Sequence, residues 1–538
     1  MYDSVTTPGC GVAVIRGDSL LYRKAYGMAH IGFRVPMTTS TTMWIPYSEA
    51  RVFVALAVGL LAQDGRIALD SPVVRYVPEL PAYAANVTVR HLLHHTSGLA
   101  DYGVLDPSFD SMNGRLTEAS MFRALTRWGK LGNTPGSAQV YSNTDYALLR
   151  LLVERVTEGT LHQFLTKRVF EPLGMRDTRV GADQADVVPN HALFHEPGAE
   201  GWRTVLRYRS SPTGGISVNT SVEDLVRWAQ ASADPRRGYG AVLAALEPGR
   251  PARPTLSGLA YGVYADTIND RPAVVYKGVG DYKYLVRVPD AALSVVTLCN
   301  SYEQMWTFGP AVAELFLPPA SGDRASRASV RAAGTAAPTV SLPSDALQRL
   351  TGEYVRMDGR PGPIRVTRSD SGLRIGPTEQ NARSLRAIGP NRFEAIAPGV
   401  GVFHLTFLTA DTVPGGVLVL TRDAVTGAEE PALRRNVPLP PLSAEDLREY
   451  AGTYLGVDVE ATLYFTVVEG RLLAEARALA RNAAVQVAGR DRFRFDIYDA
   501  RFERDASGRV THVVLDAARV KGMRYTKALP PAGPPSRR

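Results

Sequence analysis

The first segment with chemical potential places a serine and an arginine at the start of a predicted helix. Ser48 opens this helix, and Arg51 follows three positions later on the same helix face. A serine at a helix start lies where free backbone N–H groups and the positive end of the helix dipole favour a developing anion. Arginine stays protonated, so Arg51 can donate hydrogen bonds but cannot accept a proton. An N-capping serine followed by a solvated arginine would give the same spacing.

Two further segments carry polar side chains beside predicted helix and strand ends. Tyr141 and Asn143 form a Tyr-x-Asn motif, in which a tyrosine hydroxyl can shuttle protons and an asparagine amide can bind a substrate amide. Lys277 follows a predicted strand and precedes Gly278 and Gly280, where the backbone can approach a ligand beside a positive charge. Alone, each motif is weak, because core tyrosines, capping asparagines and strand-end lysines are common.

The elements that must position these side chains follow from hydrophobic periodicity. Apolar, β-branched runs predict strands, and apolar residues at helical spacing predict helices. The predicted strands are residues 11–14, 20–26, 274–276, 284–288 and 293–298, and the predicted helices are residues 48–63, 145–157 and 221–231. Helices in the middle with strands at both ends indicate an α/β unit whose sheet uses both ends of the domain.

The remainder of the chain differs in composition and in hydrophobic pattern. Residues 318–342 are rich in Ala, Ser, Gly, Arg and Pro and are predicted to be a linker. Short alternating runs then repeat at an offset of 100 residues, which predicts two small antiparallel β-domains at 343–440 and 441–530, before a tail at 531–538. The repeated residues are Leu347, Gly352, Tyr354, Arg392 and Phe393, which recur as Leu447, Gly452, Tyr454, Arg492 and Phe493.

Taken in order and with their flanks, the three motifs resemble the penicillin-recognising serine hydrolases, which include class C β-lactamases, D,D-peptidases and D-aminopeptidase-like enzymes. The resemblance covers roughly residues 8–317, and it includes the segments 63–73, 88–99, 170–175 and 298–301. It implies a β-lactamase-like catalytic domain over residues 1–317, with an antiparallel sheet and a helical subdomain. The two repeats resemble the lipocalin-like barrel modules of D-aminopeptidase-type members.

The resemblance implies that Ser48 is the nucleophile of an acyl-transfer reaction. The family uses Ser-x-x-Lys, in which the lysine helps to remove the serine proton, whereas this chain has Arg51 at that position. Tyr141 is then the remaining candidate for the general base and acid. Two fixed cations, Arg51 and Lys277, would stabilise its phenolate form.

The same resemblance implies how substrate would be held. Asn143, Gly278 and Gly280 are the expected substrate-binding residues, and the backbone N–H groups of Ser48 and Gly280 would form the oxyanion hole. A register shifted by one would instead put Tyr276 first in the third motif. We favour Lys277, because only seven of the 61 basic residues are lysines.

Three functions therefore remain open. The first is a serine hydrolase or acyltransferase acting on an amide or ester, including peptides that contain D-amino acids. The second is a diverted enzyme that uses the same pocket for cyclisation, transacylation or isomerisation. The third is a catalytically dead homologue that binds a ligand. Residues 101–117 are expected to be a loop that shapes the substrate site.

The composition limits the kinds of molecule that this chain is expected to bind. The net charge of +8 is spread over 538 residues without a basic block, so we expect a small-molecule or peptide substrate and no nucleic acid. No apolar run approaches a membrane span, and no cofactor is implied. The residues His91, His94 and His95 lie in a segment that is structural in the family, so no metal site is expected.

The remaining expectations concern the cysteines, the compartment and the assembly. Cys10 and Cys299 are expected to be buried thiols rather than a disulfide. No secretion signal is visible, which predicts a cytoplasmic protein as written and a secreted one if the N-terminus is trimmed. The sequence leaves the oligomeric state open.

Overall fold

The computed structural model divides the chain into two compact units, Met1–Ala320 and Ser321–Arg538. The described residues are 6–45, 51–105, 117–181, 187–198, 201–205, 218–236, 238–246, 263–269, 271–277, 283–301, 308–318, 340, 342–356, 364–369, 372–376, 382–397, 401–409, 417–422, 429–435, 442–459, 461–476, 483–495, 498–517 and 520–528. Most of the predicted linker, residues 318–342, lies outside these ranges.

The first unit is built around a six-stranded antiparallel sheet. The strands of the unit, in this sheet and in smaller ones, are β1 (Cys10–Arg16), β2 (Ser19–Tyr26), β3 (Met28–His30), β4 (Val35–Pro36), β5 (Met43–Ile45), β6 (Arg179–Val180), β7 (Phe194–Gly198), β8 (Gly201–Val205), β9 (Val218–Thr220), β10 (Val263–Ile268), β11 (Arg271–Lys277), β12 (Lys283–Val288) and β13 (Leu293–Cys299). The large sheet has the order β10-β11-β12-β13-β1-β2. Strand β13 pairs with β1, so the sheet uses both ends of the unit, as predicted from the sequence.

Successive side chains of the central strands enter different apolar clusters. On β13, Val295 belongs to a cluster that includes Ala313, whereas Val296 belongs to the main core with Phe53. The same alternation puts Val14 of β1 in the first of these clusters. Strands covered on both faces have mostly apolar sequences. Every residue of β13 is buried, and Ser294 and Thr297 are its two polar residues.

The helices of the first unit are α1 (Arg51–Gln63), α2 (Val89–Leu93), α3 (Tyr102–Leu105), α4 (Glu118–Trp128), α5 (Asn143–Thr157), α6 (Leu161–Leu165), α7 (Glu171–Leu173), α8 (Val222–Ala231), α9 (Gly238–Ala244) and α10 (Phe308–Phe316). Helix α1 is buried from Arg51 to Leu61 and packs against α5 and α9. A helix that is apolar all round belongs inside a protein. Within the parts of the chain described above, no helix has the length and apolar character needed to cross a membrane.

Cys10 and Cys299 form a disulfide, so the expectation of two buried thiols was wrong. They lie directly opposite each other on β1 and β13, with their Cα atoms 4.0 Å apart. Their separation of 289 residues hides this relationship in the sequence, because only the sheet brings the two positions together.

The second unit begins with α11 (Ser344–Leu350) and a closed eight-stranded barrel. Its strands are β14 (Gly352–Arg356), β15 (Ile364–Ser369), β16 (Gly372–Gly376), β17 (Arg383–Gly389), β18 (Arg392–Ala397), β19 (Gly401–Thr409), β20 (Val417–Arg422) and β21 (Glu429–Arg435). Strand β14 pairs with β21 and closes the barrel. Its buried apolar cluster includes Tyr354, Phe393 and Phe407.

A second β-domain follows helix α12 (Ala444–Arg448). Its strands are β22 (Gly452–Gly456), β23 (Thr462–Val468), β24 (Arg471–Ala476), β25 (Ala483–Ala484), β26 (Gln486–Gly489), β27 (Arg492–Phe495), β28 (Tyr498–Arg504), β29 (Val510–Asp516) and β30 (Met523–Lys527). The sheet order is β25-β24-β23-β22-β30-β29-β28-β27-β26. Only Val485 separates the two edge strands along the chain, so the sheet is a nearly closed barrel.

The sequence repeat corresponds to a structural repeat. In the first barrel the hydroxyl of Tyr354 donates to the carbonyl of Leu350 at 2.7 Å. In the second, the hydroxyl of Tyr454 donates to the carbonyl of Tyr450 at 2.9 Å. Both tyrosines are buried where a short helix leads into the first strand of the sheet. The predicted class, an α/β unit followed by two small β-barrel domains, is confirmed.

Candidate active site

The N-terminus of α1 carries the first of the predicted site residues. Arg51 is the first residue of this helix, and its side chain is only 2% exposed. Ser48, the predicted nucleophile, lies in residues 46–50, which are outside the described residues.

Arg51 contacts both residues of the Tyr-x-Asn motif. Its Nη2 donates to the hydroxyl of Tyr141 and to Oδ1 of Asn143, the latter at 3.1 Å. Its guanidinium carbon lies 4.2 Å from the centre of the Tyr141 ring and 5.0 Å from that of Tyr146. The packing of α1 on α5 brings these groups together, because Asn143 begins α5 and Tyr141 lies two residues before it.

The amide of Asn143 connects this pair to a buried carboxylate. The hydroxyl of Tyr141 donates to Asn143 Oδ1 at 3.3 Å, and Asn143 Nδ2 faces the two carboxylate oxygens of Asp101 at 3.2 and 3.1 Å. Asp101 is only 1% exposed. A continuous chain of hydrogen bonds thus runs from Asp101 through Asn143 to Arg51 and Tyr141.

A second polar cluster lies behind the Tyr141 ring. Asp145 is fully buried and contacts Nδ1 of His95 at 2.8 Å, while the hydroxyl of Ser97 donates to its other oxygen at 2.5 Å. Burial raises the pKa of Asp145 well above its usual value, and the hydrogen bond from Ser97 opposes this shift. The ring of His95 lies 4.9 Å from that of Tyr141 and 5.1 Å from that of Tyr146. His95 therefore supports the face of Tyr141 within the unit's core.

The third motif is only partly described. Lys277 is the last residue of β11, but its side chain, Gly278 and Gly280 lie outside the described residues. Tyr276, which the alternative register would place in the site, is 4% exposed and packs 6.1 Å from the ring of Tyr284. These contacts give Tyr276 a place in the hydrophobic core.

The histidine-rich segment has structural contacts. The side chain of His91 accepts from the backbone of Thr88 at 3.2 Å in the capping box that begins α2. His95 is held by Asp145, so one histidine of this segment does have a carboxylate partner. Within the described residues, no group of three or more His, Cys, Asp or Glu side chains could hold a metal ion.

Two carboxylates near the motif residues were not predicted from the sequence to belong to the site. Asp101 begins the segment predicted to be a loop, yet its side chain contacts Asn143. Asp145 lies two positions after Asn143 and was assigned only to a helix. An acidic residue within an otherwise apolar helix face was the available signal for Asp145. No comparable signal marks Asp101, because its sequence context is that of an ordinary helix-capping aspartate.

Comparison with known proteins identifies relatives of the first unit. A family model described as Beta-lactamase matches residues 3–311, more than half of the chain. Protein flp of Staphylococcus aureus (strain COL) is 26% identical over 304 residues, which cover 54% of this chain and 59% of flp. Penicillin-binding protein 4* of Bacillus subtilis (strain 168) is 32% identical over 174 residues, which cover 31% of this chain and 37% of that protein. The matches span less than two thirds of either relative.

A solved structure extends the similarity in fold. The octameric penicillin-binding protein homologue from Pyrococcus abyssi matches 79% of this chain and 95% of its own, with a TM-score of 0.51 and 21% identity. Similarity at this identity concerns the fold. With the family match, it confirms the fold class and the resemblance predicted from the motifs.

Proposed function

Because this chain belongs to the β-lactamase family, whose members are serine hydrolases and acyltransferases, we propose that it transfers acyl groups from an amide or ester through Ser48. Peptides that contain D-amino acids are among the proposed substrates. Tyr141 is the proposed general base and acid. The observation that carries the proposal is the buried contact of the Arg51 guanidinium with the Tyr141 hydroxyl.

Arg51 cannot take the proton of Ser48, because a guanidinium remains protonated. It can stabilise a negative charge on the atom that does take the proton. The donation from Arg51 Nη2 to the hydroxyl of Tyr141 supports that role. Lys277 is proposed as the second cation facing the same oxygen.

In the proposed reaction, the phenolate oxygen of Tyr141 takes the proton of Ser48 as the serine oxygen attacks the carbonyl carbon. The resulting oxyanion is held by the backbone N–H groups of Ser48 and Gly280. Collapse of this intermediate expels the amine or alcohol, which takes the proton from Tyr141. Water, or another acceptor, then releases the acyl group from Ser48 by the same steps. Asn143 and Gly278 are proposed to contact the substrate.

The replacement of the family lysine by Arg51 favours one alternative. A fixed cation suits a site that binds and protonates its substrate without forming an acyl-enzyme. Such a diverted enzyme would use Tyr141 and Lys277 as acid and base in a cyclisation, transacylation or isomerisation. A third candidate, a ligand-binding homologue without turnover, is an outcome of the same test.

The test is covalent labelling of the full chain. The name of the Bacillus subtilis relative says that it binds penicillin, so a labelled penicillin is used beside a fluorophosphonate. Peptide mass spectrometry should find the adduct on Ser48 in the wild type and in Ser137→Ala, a variant of an exposed serine, but not in Ser48→Ala. Turnover without an adduct, abolished in Tyr141→Phe, would support the diverted enzyme. Ligand binding without either would support the binding homologue.

A further inference from the structure

We infer that Asp101 is a positioning residue, whose carboxylate fixes the orientation of the Asn143 amide and thereby the alignment of Arg51 with Tyr141. The inference deepens the proposed acyl-transfer function and rests on it for its catalytic consequence. Asp101 contacts Asn143 rather than the reacting atoms, so its effect passes through that side chain.

The donor and acceptor properties of the three side chains determine the orientation of the amide. A guanidinium only donates hydrogen bonds, and an ionised carboxylate only accepts them. An amide between them therefore turns its oxygen to the guanidinium and its nitrogen to the carboxylate. The contacts agree, since Asn143 Oδ1 lies 3.1 Å from Arg51 Nη2 and Asn143 Nδ2 lies 3.1 Å from the nearer oxygen of Asp101.

The backbone on either side of Asp101 is hydrogen-bonded to the first turn of α5, the turn that contains Asn143. The hydroxyl of Thr144 donates to the carbonyl of Ala100 at 2.6 Å, and the N–H of Tyr102 donates to that hydroxyl at 2.9 Å. Thr144 is buried and directly follows Asn143 in α5. Both chain neighbours of Asp101 are therefore hydrogen-bonded to Thr144, which keeps Asp101 beside Asn143.

A simpler role for Asp101 would be to cap α3. Its Oδ1 accepts from the N–H of Gly103 at 3.0 Å, a contact that many aspartates make at helix starts. A cap needs only this one contact, whereas the Asn143 amide lies within hydrogen-bond distance of both carboxylate oxygens. The two roles predict different results when Asn143 is also changed.

Loss of the carboxylate would free the amide to rotate. In the rotated orientation, Asn143 would present its N–H groups to Arg51, which has only donors. The guanidinium would then lose one of its two oxygen partners, and its contact with Tyr141 would be less well defined. We expect slower acylation of Ser48, with little change in the concentration of probe needed for half-maximal rate.

The experiment is a double-mutant cycle in the full chain, using Asp101→Asn, Asn143→Ala and the double variant. The readout is the rate of Ser48 labelling by the fluorophosphonate as a function of probe concentration. Asp101→Asn should slow the maximal rate about ten-fold, the effect of losing one ordinary hydrogen bond. It should have no further effect in the Asn143→Ala background. Asp224→Asn, which changes a buried aspartate bonded to Thr178 instead, is the matched control and should label normally.

A second readout does not require activity. With selective ¹⁵N-asparagine labelling, the side-chain amide signals of Asn143 should exchange slowly with solvent in the wild type and shift in Asp101→Asn. The slow exchange is measured in the wild type, so it tests the inference even if Asp101→Asn does not fold. Fast exchange in the wild type would overturn it, as would unchanged signals or additive rate losses. If Ser48 takes no adduct while the amide signals behave as expected, the acyl-transfer proposal fails and the positioning role of Asp101 stands.

Discussion

The guanidinium of Arg51 lies against the ring of Tyr141 and donates to its hydroxyl. A second ring, that of Tyr146, lies on the same guanidinium at 5.0 Å. Across the ranges that the structure describes, no carboxylate comes within salt-bridge distance of Arg51. The charge of Arg51 opposes the rise that burial causes in the pKa of Asp145. The donation from Arg51 to the Tyr141 hydroxyl is the basis of the predictions about the site.

Substitution of Arg51 by lysine should preserve or increase the labelling rate of Ser48. Lysine keeps the positive charge but can lose its proton in a buried cationic site, which would restore a second candidate base. Arg51→Met, which removes the charge, should lower the rate about 100-fold. Stopped-flow or quenched labelling measures both, with Arg90→Lys, a surface change beside Asp70, as the control.

A large loss in Arg51→Lys would contradict this expectation. It would mean that the planar guanidinium, which lies on the rings of Tyr141 and Tyr146, has a task that an ammonium group cannot perform. The diverted reaction would then become the better proposal.

Removal of the Tyr141 hydroxyl should stop the proposed proton transfer and leave the packing in place. Tyr141→Phe keeps the ring in contact with Arg51 and His95, so the fold should be retained while the labelling rate falls about 10²–10⁴-fold. Tyr146→Phe is the matched control, because its hydroxyl donates to the carbonyl of Leu93 at 3.0 Å. That control should cost stability of about 1 kcal/mol and change the rate little.

Equal rate losses in the two phenylalanine variants would argue against a base at position 141. Circular dichroism and thermal melting of both proteins separate this result from a general loss of structure. The comparison is informative because both rings contact the same guanidinium.

The free energy of unfolding of the first unit should depend on pH through His195. This side chain is 2% exposed, and burial lowers its pKa to about 4, with a smaller contribution from His30. An unfolded histidine has a pKa of about 6.5, so between these values the unfolded chain binds more protons. Stability should therefore be complete above about pH 6.5 and decrease as the pH falls toward about 4.

Urea unfolding of the wild type and of His195→Gln across this pH range measures the effect. Glutamine does not titrate, so the variant should lose less stability on acidification than the wild type. Parallel curves for the two proteins would show that other groups, such as the half-buried His191, whose pKa is also lowered by burial, cause the pH dependence.

Local pattern predicted the scaffold of the site well. The predicted helix at 145–157 is α5, which begins at Asn143, and the predicted helix at 221–231 is α8, which begins at Val222. These helices are predictable because their apolar faces repeat at helical spacing. The use of both ends of the unit in one sheet was predicted because strands occur at both ends, whereas the pairing of β13 with β1 is seen only in the structure.

Long-range polar contacts could not be read from the same patterns. Arg51 and Tyr141 are 90 residues apart, and only the family resemblance suggested that they meet. Asp101 approaches Asn143 because Thr144 holds the neighbouring backbone, and no periodicity encodes that contact. Hydrogen-bond partners depend on the packing of whole elements, whereas periodicity reports only which face of each element is buried.

The disulfide between Cys10 and Cys299 should stabilise the first unit against unfolding. It closes a loop of 289 residues and so limits the freedom of the unfolded chain. The double variant Cys10→Ser, Cys299→Ser should lower the free energy of unfolding by about 2–4 kcal/mol. Denaturant unfolding with and without reductant measures this loss, and reductant should not affect the variant. In denaturant, the unreduced wild type should not react with a thiol reagent; immediate reaction would show that the cysteines are free.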